Sequence, residues 1–121
     1  MEFKGILREM VDGVDGGYAG TIMEKGGITV EDYVREGSGC DIETLGVEYG
    51  KALDEIRKAS RVLKLGDAEE IVISSGGNRV ILRIVTPDYF LAFAVRGGAA
   101  LGKARYLVRK AASRAGKELL R

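Results

Sequence analysis

Apolar and polar residues repeat along this chain in two periods, and the changes of period divide it into eight segments. Phe3, Ile6, Leu7, Met10 and Val11 recur at helical spacing and predict a short amphipathic helix from Glu2 to Asp12. Asp12-Gly13 and Asp15-Gly16-Gly17 end it. Tyr18–Glu24 and Ile28–Val34 read as strands of a hairpin, joined by Lys25-Gly26-Gly27. The second strand carries Glu31 and Asp32, which suits a sheet edge, where charge discourages stray pairing.

A long helical pattern from Asp41 to Lys64 follows, and the rest of the chain is arranged around it. Asp41 is placed to cap its N-terminus and Glu43 lies in its first turn. Arg61 and Lys64 fall in the last turn, with Gly66 as the expected stop. Ile42, Leu45, Tyr49, Ala52, Leu53, Ile56, Ala59 and Leu63 make one apolar stripe, which is read as core. Beside it lie Gly46, Gly50, Leu53 and Arg57. Glycine costs a helix about 1 kcal/mol relative to alanine. Two on one flank therefore suggest that another backbone comes close there, either the chain's own sheet or a second copy of the helix. The outer face, with Lys51, Asp54, Lys58 and Arg61, is a mixed-charge surface suited to a partner or to water.

Three strands come next: Glu69–Ser75, Arg79–Thr86 and Tyr89–Val95, joined by turns at Gly76-Gly77-Asn78 and Pro87-Asp88. Ile81 and Val85 oppose Val80, Leu82 and Ile84, and Phe90 opposes Leu91. A strand apolar on both sides is covered on both sides. The last helix, Ala99–Leu120, has Leu101, Ala104, Arg105, Val108, Ala111, Ala112, Ala115 and Leu119 on one stripe. The order αββαβββα predicts an α+β fold: a five-stranded antiparallel sheet with two helices on one face and one on the other. If the first hairpin joins the meander through the last strand, Ile71-Val72-Ile73 lies at the opposite edge. That apolar, uncharged strand needs covering, and a two-fold partner would cover it while bringing two central helices together.

The 121 residues suit one domain, spanning 1–121. Net charge is +1, but it is unevenly spread. Residues 96–121 hold eight Lys/Arg against Glu118 alone, a charge of +7, and the remainder is at −6. The single cysteine, Cys40, excludes an internal disulfide and points to a reducing, cytoplasmic setting. There is no histidine, which removes the usual Ser-His and Cys-His nucleophile pairs and the commonest zinc ligand. No metal or cofactor is expected. No apolar run reaches membrane length, and the charged N-terminus is unlike a signal peptide.

Gly97 to Ala104 nearly matches the phosphate-binding G-x-x-x-x-G-K-[ST] loop, but Ala104 replaces the hydroxyl and the preceding strand belongs to an antiparallel meander. A tight turn is the simpler reading. The basic last helix is read as a solvated face rather than a nucleic-acid or membrane surface. Cys40, near a helix start, has no base partner. Glu69 and Glu70 are adjacent, so on a strand they point to opposite faces.

The stretch from about Asp41 to Glu118 resembles the roadblock family, named for a dynein light chain, whose prokaryotic members include the MglB gliding-motility regulators. The similarity lies in ALDEIRKASRVLKLGDAEEIVISS, in YFLAFAV, and in Gly102-Lys103-Ala104-Arg105, which is similar to the family's G-x-x-R; the hairpin GYAGTIMEKGGITV matches less closely. The resemblance implies a roadblock/profilin-like fold, a homodimer with a continuous ten-stranded sheet, and helices of the Asp41–Lys64 type paired at the dimer face. It also implies partnership with Ras-like small GTPases, with no site of covalent chemistry. Gly102 and Arg105 are read as structural. The expectation is a noncatalytic homodimer that regulates a small GTPase, or the same dimer as an adaptor with no effect on GTP turnover. Its self-contact is assigned to Gly46, Gly50, Leu53, Arg57, Ile71, Val72 and Ile73. Its partner surface is assigned to Lys51, Asp54, Lys58 and Arg61. Neither nucleic acid nor direct membrane insertion is expected.

Overall fold

The computed structural model describes residues 2–121. The order is α1 (Phe3–Asp12), β1 (Gly17–Glu24), β2 (Thr29–Val34), α2 (Ile42–Val62), β3 (Glu70–Ser75), β4 (Asn78–Thr86), β5 (Tyr89–Arg96) and α3 (Leu101–Leu119). The five strands form one antiparallel sheet in the order β2-β1-β5-β4-β3. The hairpin therefore joins the meander through β5, the arrangement under which β3 lies at the opposite edge. Gly76 and Gly77, both at positive φ, make the two-residue turn between Ser75 and Asn78.

Side-chain alternation on the central strands separates two cores. Ile22, Ile81, Leu91, Phe93 and Val95 point to one face and pack with Leu7, Met10 and Val11 of α1 and the alanine-rich side of α3. Met23, Val80, Leu82, Phe90, Ala92 and Ala94 point to the other, where α2 contributes Ile42 and Leu53. The faces are thus covered by two helices and by one. Five strands about 4.8 Å apart span roughly 20 Å, and a helix about 10 Å across covers half of that. On the α2 side the cover lies over β1 and β2. Ile71, Ile73 and Ile84 remain only partly buried.

Two local features depart from the sequence reading. α2 does not stop at Gly66. Its last turn closes when Lys64 enters the left-handed region at φ +58°. Leu65 N–H then donates to Ser60 O at 2.9 Å and Lys64 N–H to Arg61 O at 3.0 Å. These two bonds satisfy the terminal carbonyls in a Schellman arrangement, with lysine where glycine is usual. The second feature is Glu70, whose buried carboxylate accepts from Arg105 Nε at 2.6 Å and from Arg83 Nη1 at 3.2 Å. That pairing fastens α3 to β3 and β4, and gives Arg105 the structural role expected of it. Gly102, in contrast, has open space where a Cβ would stand, so close packing within the chain does not explain it.

Candidate functional site

α2 begins as its sequence dictates. Asp41 accepts from Thr44 N–H at 3.1 Å and from Thr44 Oγ1 at 2.7 Å. These bonds hold its carboxyl below the usual carboxylate range. The helix is then rolled about its axis relative to the expected orientation. The flank of Gly46, Gly50 and Leu53 faces the chain's own sheet. A Cβ on Gly46 would stand 2.9 Å from Met23 Cε, and one on Gly50 would stand 2.9 Å from Phe90 Cζ. Leu53 is buried among the same strands. Arg57 lies further along that flank, and its Nη1 donates to Pro87 O at 3.1 Å. These four residues, expected at a self-contact, instead seat α2 on its own sheet. The glycines do admit a close neighbour, but the neighbour is Thr21, Met23 and Phe90.

The stripe expected as core is correspondingly turned out. Only its Ile42 and Leu53 are buried. Leu45 and Tyr49 are half-buried, and Ala52, Ile56, Ala59 and Leu63 are exposed. Ile56 is 40% accessible, and Leu63, at the helix C-cap, is 65% accessible. The physical cause is depth of approach: the glycine flank lets the helix axis lie closer to the sheet than a leucine flank would. Beside this stripe runs the edge strand, with Ile71 and Ile73 on the α2 side and Val72 37% accessible on the other. Between the N-terminal half of α2 and β3–β4 lies a groove of about 380 Å³, with Leu45, Tyr49, Ile73 and Val80 among its apolar walls and Thr44 and Glu48 among its polar ones.

The four residues assigned to a partner surface are all exposed on α2. Their charges are engaged nearby. Lys51 Nζ lies 3.2 Å from Glu48, and Lys58 Nζ lies 3.2 Å from Asp54 and 3.5 Å from Glu55. The hydrogen bond to Asp54 and the two acidic charges hold the Lys58 ammonium above its ordinary pKa. Arg61 Nε lies 3.6 Å from Asp67.

Other candidate chemistry is quieter. Burial, reinforced by Asp41, pushes the Cys40 thiol pKa up, the opposite of an activated thiolate. Asp32 is held above its ordinary pKa first by burial, with Glu43 and Glu31 adding to the effect, and its Oδ1 has no hydrogen-bond partner. The glycine-rich loop after β5 closes on the β3–β4 turn, with Gly97 N–H donating to Gly77 O at 2.7 Å. No described helix is long and apolar enough to cross a membrane.

Known structures share this architecture. The crystal structure of MglC from Myxococcus xanthus is 33% identical, with 98% of this chain and 99% of that one covered and a TM-score of 0.70. A Roadblock/LC7 domain from Streptomyces avermitilis superposes at TM-score 0.86 over 97% of each chain, at 12% identity. An MglB structure with a tetrameric arrangement gives 0.86 at 13% identity, covering 95% of this chain and 85% of that one. No protein-family model matches the chain, and no curated protein does.

Proposed function

This chain belongs to the roadblock family, and from that premise we propose that it is a noncatalytic homodimer that regulates a Ras-like small GTPase. The observation carrying the homodimer is the open half of the α2 face. Ala52, Ile56 and Ala59 of α2 and Leu63 at its C-cap are exposed, the edge strand carries Ile71, Val72 and Ile73, and an identical surface related by a two-fold axis would cover both. The tetrameric arrangement reported for an MglB structure is a related case of assembly on this fold.

In this reading paired α2 helices form a platform, and the exposed Lys51, Asp54, Lys58 and Arg61 border it. A platform that fits one arrangement of the GTPase switch loops better than another shifts their populations by that difference in affinity. The cations favour such shape selection over donation of an arginine, since Arg57 holds the Pro87 carbonyl and Arg61 lies against Asp67. The single cysteine and the absence of a membrane-spanning helix among the described residues fit a cytoplasmic setting.

The test is GTP hydrolysis by a small GTPase encoded beside this protein, with and without it. Stimulation supports the regulator. Binding with an unchanged rate supports the second reading, an adaptor dimer, which the internally neutralised cations also fit. Absence of binding overturns both. An arginine supplied to a GTPase is worth about 10³–10⁵ in rate. Arg57→Ala and Arg61→Ala should each change any stimulation by only a few fold.

A further inference from the structure

The start of β1 is flanked by two arginines that the sheet brings together from distant parts of the chain. Arg35 follows β2, Arg96 ends β5, and β1 lies between those strands. Arg35 N–H donates to Tyr18 O at 2.9 Å and Arg96 N–H to Gly16 O at 2.8 Å, so the backbone fixes both beside the first residues of β1. A cleft of about 280 Å³ opens there, lined by both arginines, Tyr18, Glu36 and Ser38.

The two cations differ in how far their charge is used. Arg35 Nη1 donates to Gly17 O at 3.2 Å, and its Nε lies 3.6 Å from Asp12. Arg96 is stacked 4.3 Å over the Tyr18 ring, and among the described residues it pairs with no carboxylate. Its Nη1 makes one long contact, 3.5 Å to Asn78 Oδ1, an oxygen that already accepts from the Tyr18 hydroxyl at 2.9 Å. A guanidinium laid on an aromatic face keeps its in-plane N–H donors free, and that planar fork matches an oxyanion. Ser38 Oγ accepts from Cys40 N–H at 3.4 Å, which leaves its own proton to donate.

We propose that this cleft binds a phosphomonoester, with Arg96 as the bidentate donor and Arg35 as the second cation. A phosphoryl group offers three oxygens, enough for the Arg96 fork, the Arg35 guanidinium and the Ser38 hydroxyl; a carboxylate offers two. Glu36 lines the same cleft and opposes an anion, so it limits the affinity. No residue of α2 or β3 lines the cleft, so its test is independent of the homodimer.

The experiment titrates methyl phosphate, inorganic phosphate and acetate into the full chain at constant ionic strength, following the arginine Nε–Hε signals by NMR. Methyl phosphate is expected to shift the Arg96 signal saturably, with a dissociation constant on the order of 1 mM for one exposed bidentate pair. Acetate should bind about fivefold more weakly or worse. Arg96→Gln should raise the constant about tenfold or more. Arg96→Lys keeps the charge and loses the fork; it should raise the constant several-fold, and it carries the comparison if Arg96→Gln fails to fold. Glu36→Gln should lower it. Arg109→Gln, at an exposed arginine of α3 outside the cleft, should leave it unchanged. No saturation by about 20 mM, or tighter binding of acetate, overturns the site. Equal weakening by Arg109→Gln also overturns it, as general attraction to a basic surface. Binding of inorganic phosphate without methyl phosphate overturns the monoester and marks a site for the free ion.

Discussion

The two faces of the sheet are made from the same strands and are finished differently. On one, α1 and α3 lie side by side and bury Phe93, Leu91, Ile81 and Val95 completely. On the other, a single helix leaves β3 and β4 half-covered and its own apolar stripe in solvent. Composition does not distinguish them, since both faces are built of Ile, Leu, Val, Ala and Phe. The difference lies in the number of helices available, two against one. Here the one helix is too narrow to cover the five strands of its face, and Ile71, Ile73 and Ile84 stay only partly buried.

The comparison can be broken most sharply at the closed face. Phe93→Ala should cost about 3–5 kcal/mol in urea unfolding, with a midpoint independent of protein concentration; a loss below about 1 kcal/mol would mean that this face is not the rigid one. Leu53→Ala should cost about 2–5 kcal/mol, because Leu53 is the main large α2 side chain against its own sheet. Three positions later the response should reverse. Ile56→Asp is expected to change the folding free energy of the chain by about 1 kcal/mol or less, while reducing the sedimentation mass of the wild-type protein to that of one chain. If Ile56→Asp unfolded the chain instead, the stripe would be core after all.

Two smaller effects sharpen the picture at the ends of α2. Lys64→Gly should stabilise the chain by about 0.5–1 kcal/mol, by relieving the left-handed lysine that ends the helix. Near the start, Asp32 has a folded pKa raised by burial. The fold therefore favours the protonated acid. That contribution is full below the unfolded pKa and is lost as pH rises through the raised folded one. Asp32→Asn should make the chain slightly more stable than wild type at neutral pH, with the advantage vanishing below the carboxylate range. Equal stabilities across that range in a pH series of melting temperatures would remove Asp32 as a strained acid.

Much of the architecture was legible in the sequence because it depends on local chemistry. Period-2 runs bounded by glycine pairs mark the strands, and the Asp41 cap and the Gly76-Gly77 turn stand where their residue types require. The apolar residues on both sides of β4 and β5 called for helices on both faces, which is what the strand order provides. The candidate site was legible only in its materials. The stripe and the glycine flank of α2 were both visible, but not which of them faces the chain's own sheet: the flank does, and most of the stripe is exposed. Gly46 and Gly50 held the information: a helix tolerates two glycines on one flank where something approaches it closely, and a sheet carrying Met23 and Phe90 does so here. The Glu70 contact with Arg105 was invisible because its partners are 35 residues apart.

The sequence by itself determined the elements, their order and the fact that α2 carries more apolar surface than a single contact needs. Hydrophobic periodicity records how much of a helix avoids water, and that count is local. Which neighbour takes each side of the helix is a question of distance between elements. Only the tertiary structure decided it, by drawing the glycine flank onto Thr21, Met23 and Phe90 and leaving Ile56 and Leu63 outside.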